Sequence, residues 1–360
     1  MKANFNTTQL QNLVTKAVKG ASNNKLLPLT SLMSVDYDGN GKLSLTTTDY
    51  TNYLVISATD ISMSDDEIHA VVNAETFAKL VSKMTSENVT LEQSEGFLRV
   101  YGGKCDYKIE IAVDVDGSNI VLKAPEFEKA VDETVKLQSI KNILNTAKSA
   151  LATTTEAPCY TAYYVGANVF TTDSYKVCAI KEQLLNEPVL IRADTMDLLD
   201  LAQSDLKCGV DGDSLKFETD DGTFALTTKT EEGIQSYAVD ALTQYVKSEF
   251  EAKCTMRKND LLQALDRLVL FVNEYDRNVI NLLFDTDKLT LTNKKQAGRE
   301  EVEYTGGKTE KMFECAINIE HLVSQIKAHP IDDVTISYGL SNCIKIESGD
   351  ITQIIALCNA

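Results

Sequence analysis

KMFECAINIEHLVSQIKAH, residues 311–329, opens as an extended apolar run and continues as a helix, and three alternating runs follow it: DDVTISY (332–338), NCIKIES (342–348) and TQIIALC (352–358). The pattern occurs twice more. IHAVVNAETFAKLVSKMTS (68–86) precedes ENVTLEQ, GFLRVYG and YKIEIAV, and EPVLIRADTMDLLDLAQS (187–204) precedes DSLKFET and GTFALTTK. In the helical parts apolar residues fall at i, i+3, i+4 and i+7: Phe77, Leu80, Val81 and Met84 in one copy, Ile319, Leu322, Val323 and Ile326 in another. Asn73 and Asn318 stand where a helix needs a side-chain oxygen for its unpaired first-turn N–H groups. The following strands alternate, as in Val89 and Leu91 or Val334 and Ile336, so each sheet is covered on one face.

Outward from these segments, each is preceded by a second helix. Helix 7–19 carries Leu10, Leu13, Val14 and Ala17; helix 135–151 carries Leu137, Ile140, Leu144 and Ala147; helix 257–273 carries Leu261, Leu265, Leu268 and Val269. A strand, a turn and a strand follow each: LPLTSLMSV and KLSLTTTDY, CYTAYYV and NVFTTDSYKVCAI, NVINLLF and KLTLTNKK. Helix starts lie 128 and 122 residues apart in this set and 119 and 126 in the other. The fold expected is α+β, with three tandem domains (1–122, 123–246 and 247–360), each of two helices and two small antiparallel sheets.

At 360 residues and 43% hydrophobic content the chain exceeds one ordinary core, and with 24% charged residues and no low-complexity tract it reads as globular throughout. No run approaches the ~18 apolar residues of a membrane span, and the start lacks a signal-peptide core, so a cytoplasmic protein without membrane contact is expected. The eight cysteines lie far apart, with no Cys-x-x-Cys pair and no His at ligand spacing; reduced thiols on strands are expected, and no metal. Only His69, His321 and His329 are present, with no Gly-rich phosphate loop and no nucleophile elbow. The acidic pairs Asp65-Asp66, Asp220-Asp221 and Asp332-Asp333 fall in turn-like stretches, where Asp bonds its own backbone. No catalytic residue and no cofactor is assigned.

Asn168-Val169-Phe170-Thr171-Thr172-Asp173-Ser174-Tyr175-Lys176-Val177-Cys178-Ala179 resembles the A-T-D-G-H-R-L-A segment of the bacterial DNA polymerase III beta sliding clamps. Leu27-Pro28-Leu29 with Thr47-Thr48-Asp49 resembles the family's P-I-L and A-T-D, and Ile354-Ile355-Ala356-Leu357-Cys358-Asn359-Ala360 is placed like its V-M-P-M-R-L terminus. The resemblance spans the whole chain, with Ser for Gly, Tyr for His and Lys for Arg in the central segment and no terminal Pro or Met. These departures suit a divergent replication system such as that of a phage or mobile element.

The resemblance implies a processivity factor: a head-to-tail homodimeric ring around duplex DNA, helices lining the hole, that slides and tethers a replicative polymerase. A clamp loader would be a further partner. The formal charge of −18 is at odds with DNA unless it is segregated, because the duplex carries one negative charge per about 1.7 Å of axis. The six helices together carry +5, which leaves −23 for the rest of the chain. Lys16, Lys19, Lys25, Lys79, Lys83, Lys136, Lys141, Lys148, Arg257, Lys258, Arg267 and Lys327 are the residues expected to face DNA, while helix 192–204, with Asp194, Asp197 and Asp200, opposes the trend. The family's partner-peptide groove would fall on Thr172, Ser174, Tyr175, Lys176, Val177, Leu242, Ile354, Ile355, Ala356, Leu357 and Cys358, and its dimer interface on Tyr107, Leu270 and Phe271. An acidic scaffold that keeps the fold and groove without encircling DNA is the alternative.

Overall fold

The computed structural model describes residues 1–360 apart from 63–65, 155–156, 308–311, 341 and 359–360, so Asp65, Lys311, Asn359 and Ala360 lie outside the described residues. The first repeat gives β1 (Lys2–Asn6), α1 (Thr7–Ala17), β2 (Leu32–Tyr37), β3 (Leu43–Thr48), β4 (Tyr53–Ala58), β5 (Ile68–Asn73), α2 (Ala74–Ser82), β6 (Asn88–Ser94), β7 (Phe97–Gly102) and β8 (Cys105–Glu110). The second gives β9 (Glu133–Val135), α3 (Leu137–Ala147), β10 (Ala162–Val165), β11 (Val169–Thr172), β12 (Lys176–Ile180), β13 (Val189–Arg192), α4 (Ala193–Leu199), β14 (Leu206–Asp211), β15 (Ser214–Thr219) and β16 (Phe224–Lys229). A helix not anticipated from the sequence, α5 (Val239–Lys247), precedes the third repeat. That repeat gives β17 (Ala252–Arg257), α6 (Lys258–Leu268), β18 (Val279–Phe284), β19 (Lys288–Asn293), β20 (Arg299–Glu303), β21 (Phe313–Asn318), α7 (Ile319–Ala328), β22 (Asp333–Tyr338), β23 (Cys343–Ser348) and β24 (Ile351–Ala356). Among the described residues, each repeat thus supplies eight strands and two α-helices in the same order.

The strands of each repeat form two groups of four, and groups from successive repeats join edge to edge. One eight-stranded sheet runs β5-β2-β3-β4-β16-β15-β14-β9, the other β13-β10-β11-β12-β24-β23-β22-β17. The joins are antiparallel, with Tyr53 opposite Thr227 in one and Lys176 opposite Ile355 in the other. Two four-stranded sheets remain, β1-β6-β7-β8 and β20-β19-β18-β21. β4, β12 and β20 hold the same place in their repeats, as do β8, β16 and β24, so β20 and β8 are the two strands of these sets that stand at sheet ends.

The chain divides into two compact units, residues 1–138 with 194–230 and residues 139–193 with 231–360, because each eight-stranded sheet takes half of the second repeat. In the first unit α1 buries Leu10 and Val14 and α2 buries Phe77 and Val81. In the second, Leu261, Leu265 and Leu268 of α6 and Leu322 and Ile326 of α7 share a core with the strand residues Leu282, Leu291, Ile336, Ile346 and Ile355. Each such side chain stabilises its core by about 1.5–3 kcal/mol.

The N-caps follow the sequence. Asn73 accepts from the Thr76 N–H, Asn318 from the Glu320 and His321 N–H groups, and Asn6 caps α1 in the same way. Several helices are shorter than the spans 7–19, 135–151, 192–204 and 257–273 expected for them. α1, α3 and α6 each end in a 3-10 turn, over Val18–Gly20, Lys148–Ala150 and Val269–Phe271, and α4 stops after seven residues. Tightening the last turn satisfies carbonyls that have no helical partner. All eight cysteines are free thiols, and burial pushes those of Cys178, Cys254 and Cys315 up to about 12. Among the described residues no helix is long and apolar enough to cross a membrane, and no cluster of His, Cys, Asp and Glu is arranged to hold a metal ion.

Candidate functional site

The turn 171–176 between β11 and β12 is built by its own side chains. Asp173 accepts from the N–H groups of Tyr175 (2.9 Å) and Lys176 (2.7 Å). Thr172 Oγ1 accepts from the Ser174 N–H at 3.0 Å and donates to the Lys176 carbonyl at 2.8 Å. Ser174 takes a left-handed backbone, φ 75°, the conformation for which glycine is the usual choice. Thr171 Oγ1 ties the turn to the end of α3 through the Ala147 carbonyl, 2.7 Å away. The first repeat builds the same turn: Asp49 accepts from Thr51 and Asn52, Tyr50 has φ 74°, and Thr47 donates to Ala17.

In the second unit this turn forms one wall of an apolar groove of about 260 Å³. Thr172, Ser174, Tyr175 and Val177 come from the turn and β12, Ile354 and Ala356 from β24, and Asn342 and Cys343 from the start of β23. The other wall is α5, whose Ala238, Ala241, Leu242 and Tyr245 follow helical spacing from its cap onward; Tyr160 completes the lining. Tyr237 braces the floor: its hydroxyl donates to the Phe170 carbonyl at 3.1 Å, and Tyr160 meets it edge to face at 5.2 Å. Burial raises the Cys343 thiol above its ordinary value and so keeps it protonated. A larger recess of about 520 Å³ in the first unit is lined mainly by polar residues, Asn4, Asn6, Asn88 and Thr90 among them.

Of the residues expected in a groove, Thr172, Ser174, Tyr175, Val177, Leu242, Ile354 and Ala356 line it together. Ile355, Leu357, Lys176 and Cys358 do not. A strand turns successive side chains to opposite faces, so Ile355 and Leu357 pack into the core of the third repeat while Ile354 and Ala356 face the groove. Lys176 is drawn away: its ammonium donates to the Ser149 carbonyl at 2.8 Å and lies 3.2 Å from Asp173. Cys358 pairs its backbone with Ala316. Sequence reasoning missed Tyr160, Ala238, Ala241, Tyr245, Asn342 and Cys343. The spacing of Val239, Leu242 and Val246 was a usable sign of α5; the others are brought in by tertiary folding alone.

The basic residues fall into two groups. Lys19, Lys25, Lys83, Lys136, Lys141, Lys148, Arg257 and Lys327 are exposed, and Lys16 is half-buried. Lys79 pairs with Glu75 on its own helix, Arg267 makes a two-pronged contact with Glu300, and Lys258 donates to the carbonyls of Lys327 and His329 at the end of α7. Those three cations have protein partners, and Lys148 has one as well. Tyr107 lies exposed on the end strand β8, and Leu270 (78%) and Phe271 (53%) are exposed in the 3-10 turn after α6.

No protein-family model matches the chain, and no curated protein does. Solved structures do. The beta subunit of the DNA polymerase of Streptococcus pyogenes matches with a TM-score of 0.89 at 15% identity, covering 100% of both chains. The DNA polymerase III beta chain of Streptococcus pneumoniae gives 0.87 at 15% identity, again over 100% of both, and the DNA polymerase sliding clamp of Bacillus subtilis gives 0.86 at 16%, covering 100% of this chain and 99% of that one. The fold is therefore that of the beta sliding clamps from end to end.

Proposed function

We propose that this chain is a DNA polymerase processivity factor, a non-catalytic homodimeric ring that encircles duplex DNA, slides on it and tethers a replicative polymerase through the α5–β24 groove. The observation that carries the reading is the arrangement of its sheets. β4 joins β16 and β12 joins β24, whereas the equivalent strands β20 and β8 end their sheets. Pairing β20 of one copy with β8 of another repeats the join already made twice within the chain, and two copies then close with no open end of this kind. The exposed Tyr107, Leu270 and Phe271 are the apolar side chains assigned to that contact.

Three domains, 1–122, 123–246 and 247–360, are the repeating units of this ring. The exposed lysines and Arg257 make sequence-blind contacts with phosphate, and Lys79, Lys258 and Arg267 act chiefly within the protein. A clamp loader opens the ring, and the protein works in the cytoplasm. The test is to load the protein with a compatible loader and ATP onto nicked circular DNA, linearise half, and follow co-elution at moderate salt. Retention on circles and loss from linear ends is expected. Retention on neither, with the loader shown active, would favour an acidic scaffold that docks partners without encircling DNA.

A further inference from the structure

Granted that the groove docks partners, its chemistry sets what it takes. None of the described side chains lining it carries a formal charge. The cation of the turn, Lys176, has its side chain only 12% exposed and is committed to Asp173 and the Ser149 carbonyl. A carboxylate carried into the groove would meet no counter-charge, and an unpaired buried charge is strongly disfavoured. Neutral hydrogen-bonding groups are present instead: the Ser174 hydroxyl, the Asn342 amide and the phenols of Tyr160, Tyr175 and Tyr245.

Charge on the α5 side of the groove is also one-sided. Ion pairs join Lys176 to Asp173, Arg192 to Glu231 and Lys345 to Glu347. The stretch 232–249, which contains α5, carries Glu232, Asp240 and Glu249 against Lys247. We infer that the docking segment is a peptide with uncharged apolar side chains at its buried positions and Lys or Arg on its flanks, and that a carboxylate within the buried part excludes it.

The full-length protein is titrated by fluorescence anisotropy against labelled peptides that share a core of three leucines. One has lysine flanks, one glutamate flanks, and one lysine flanks with Asp for the middle leucine. At low salt the lysine-flanked peptide should bind about tenfold or more tightly than either of the others. Raising salt to about 0.5 M should erase the flank preference and leave the core preference, because screening acts on exposed charge. Ala356→Asp should abolish binding of the lysine-flanked peptide, which separates the groove from diffuse attraction. Equal binding of all three, sensitive to Ala356→Asp, would overturn the inference and leave the docking reading intact. Binding of none at any salt would overturn both.

Discussion

At the scale of the residue, His329 shows how a buried polar group is held and what it costs. Its ring lies between the Gln353 side chain (3.2 Å) and the Asp333 carbonyl (3.3 Å), and Gln353 in turn donates to the backbone and side-chain oxygens of Gln325. Burial is the largest influence on the imidazole and holds its pKa below the ordinary 6.5, against the two hydrogen bonds. His321, beside Tyr175, is lowered for the same first reason. In the window just below pH 6.5 the unfolded chain binds more protons than the folded one, so stability falls as pH falls. His69, raised by its bond to Asp36, has the opposite sign, but it is exposed and its effect is screened. His329→Gln should flatten the loss of urea stability between about pH 6.5 and 5; an unchanged slope relative to the parent would refute this role.

At the scale of the element, β24 has two faces with separate duties. Ile355 is fully buried in the third-repeat core, whereas Ala356 faces the groove and is partly exposed. Ile355→Ala should lower unfolding stability by about 2–5 kcal/mol. Ala356→Asp should abolish peptide binding with a much smaller change in the urea midpoint. A reversed pattern would mean that the register of the β12–β24 join differs from Lys176 opposite Ile355. The alternation was visible in TQIIALC, yet which face met the groove was not, since a strand buried on both sides has apolar residues at both parities. The α5 wall was equally hidden, because its value to the site depends on the sheet it packs against.

At the scale of the whole molecule, the proposal stands on β8 and β20 serving as one another's partners between copies. Phe271→Asp places a charge in the assigned apolar contact, and sedimentation at micromolar concentration should show a monomer where the parent is a dimer. A variant that stayed dimeric would remove Phe271 from the interface. Sequence by itself determined the threefold repetition, the helix caps at Asn73 and Asn318 and the α+β class, because periodicity and capping are local and each copy repeats them, whereas the turn at Asp173 divides a run that reads as one strand. Only the tertiary structure decided that the second repeat is shared between two eight-stranded sheets, that Lys176 is turned from the groove, and that Tyr160, Tyr245 and Asn342 enter it. Those outcomes depend on which sheet edges meet and on which distant acceptor a long side chain finds, and neither is encoded in the spacing of neighbours along the chain.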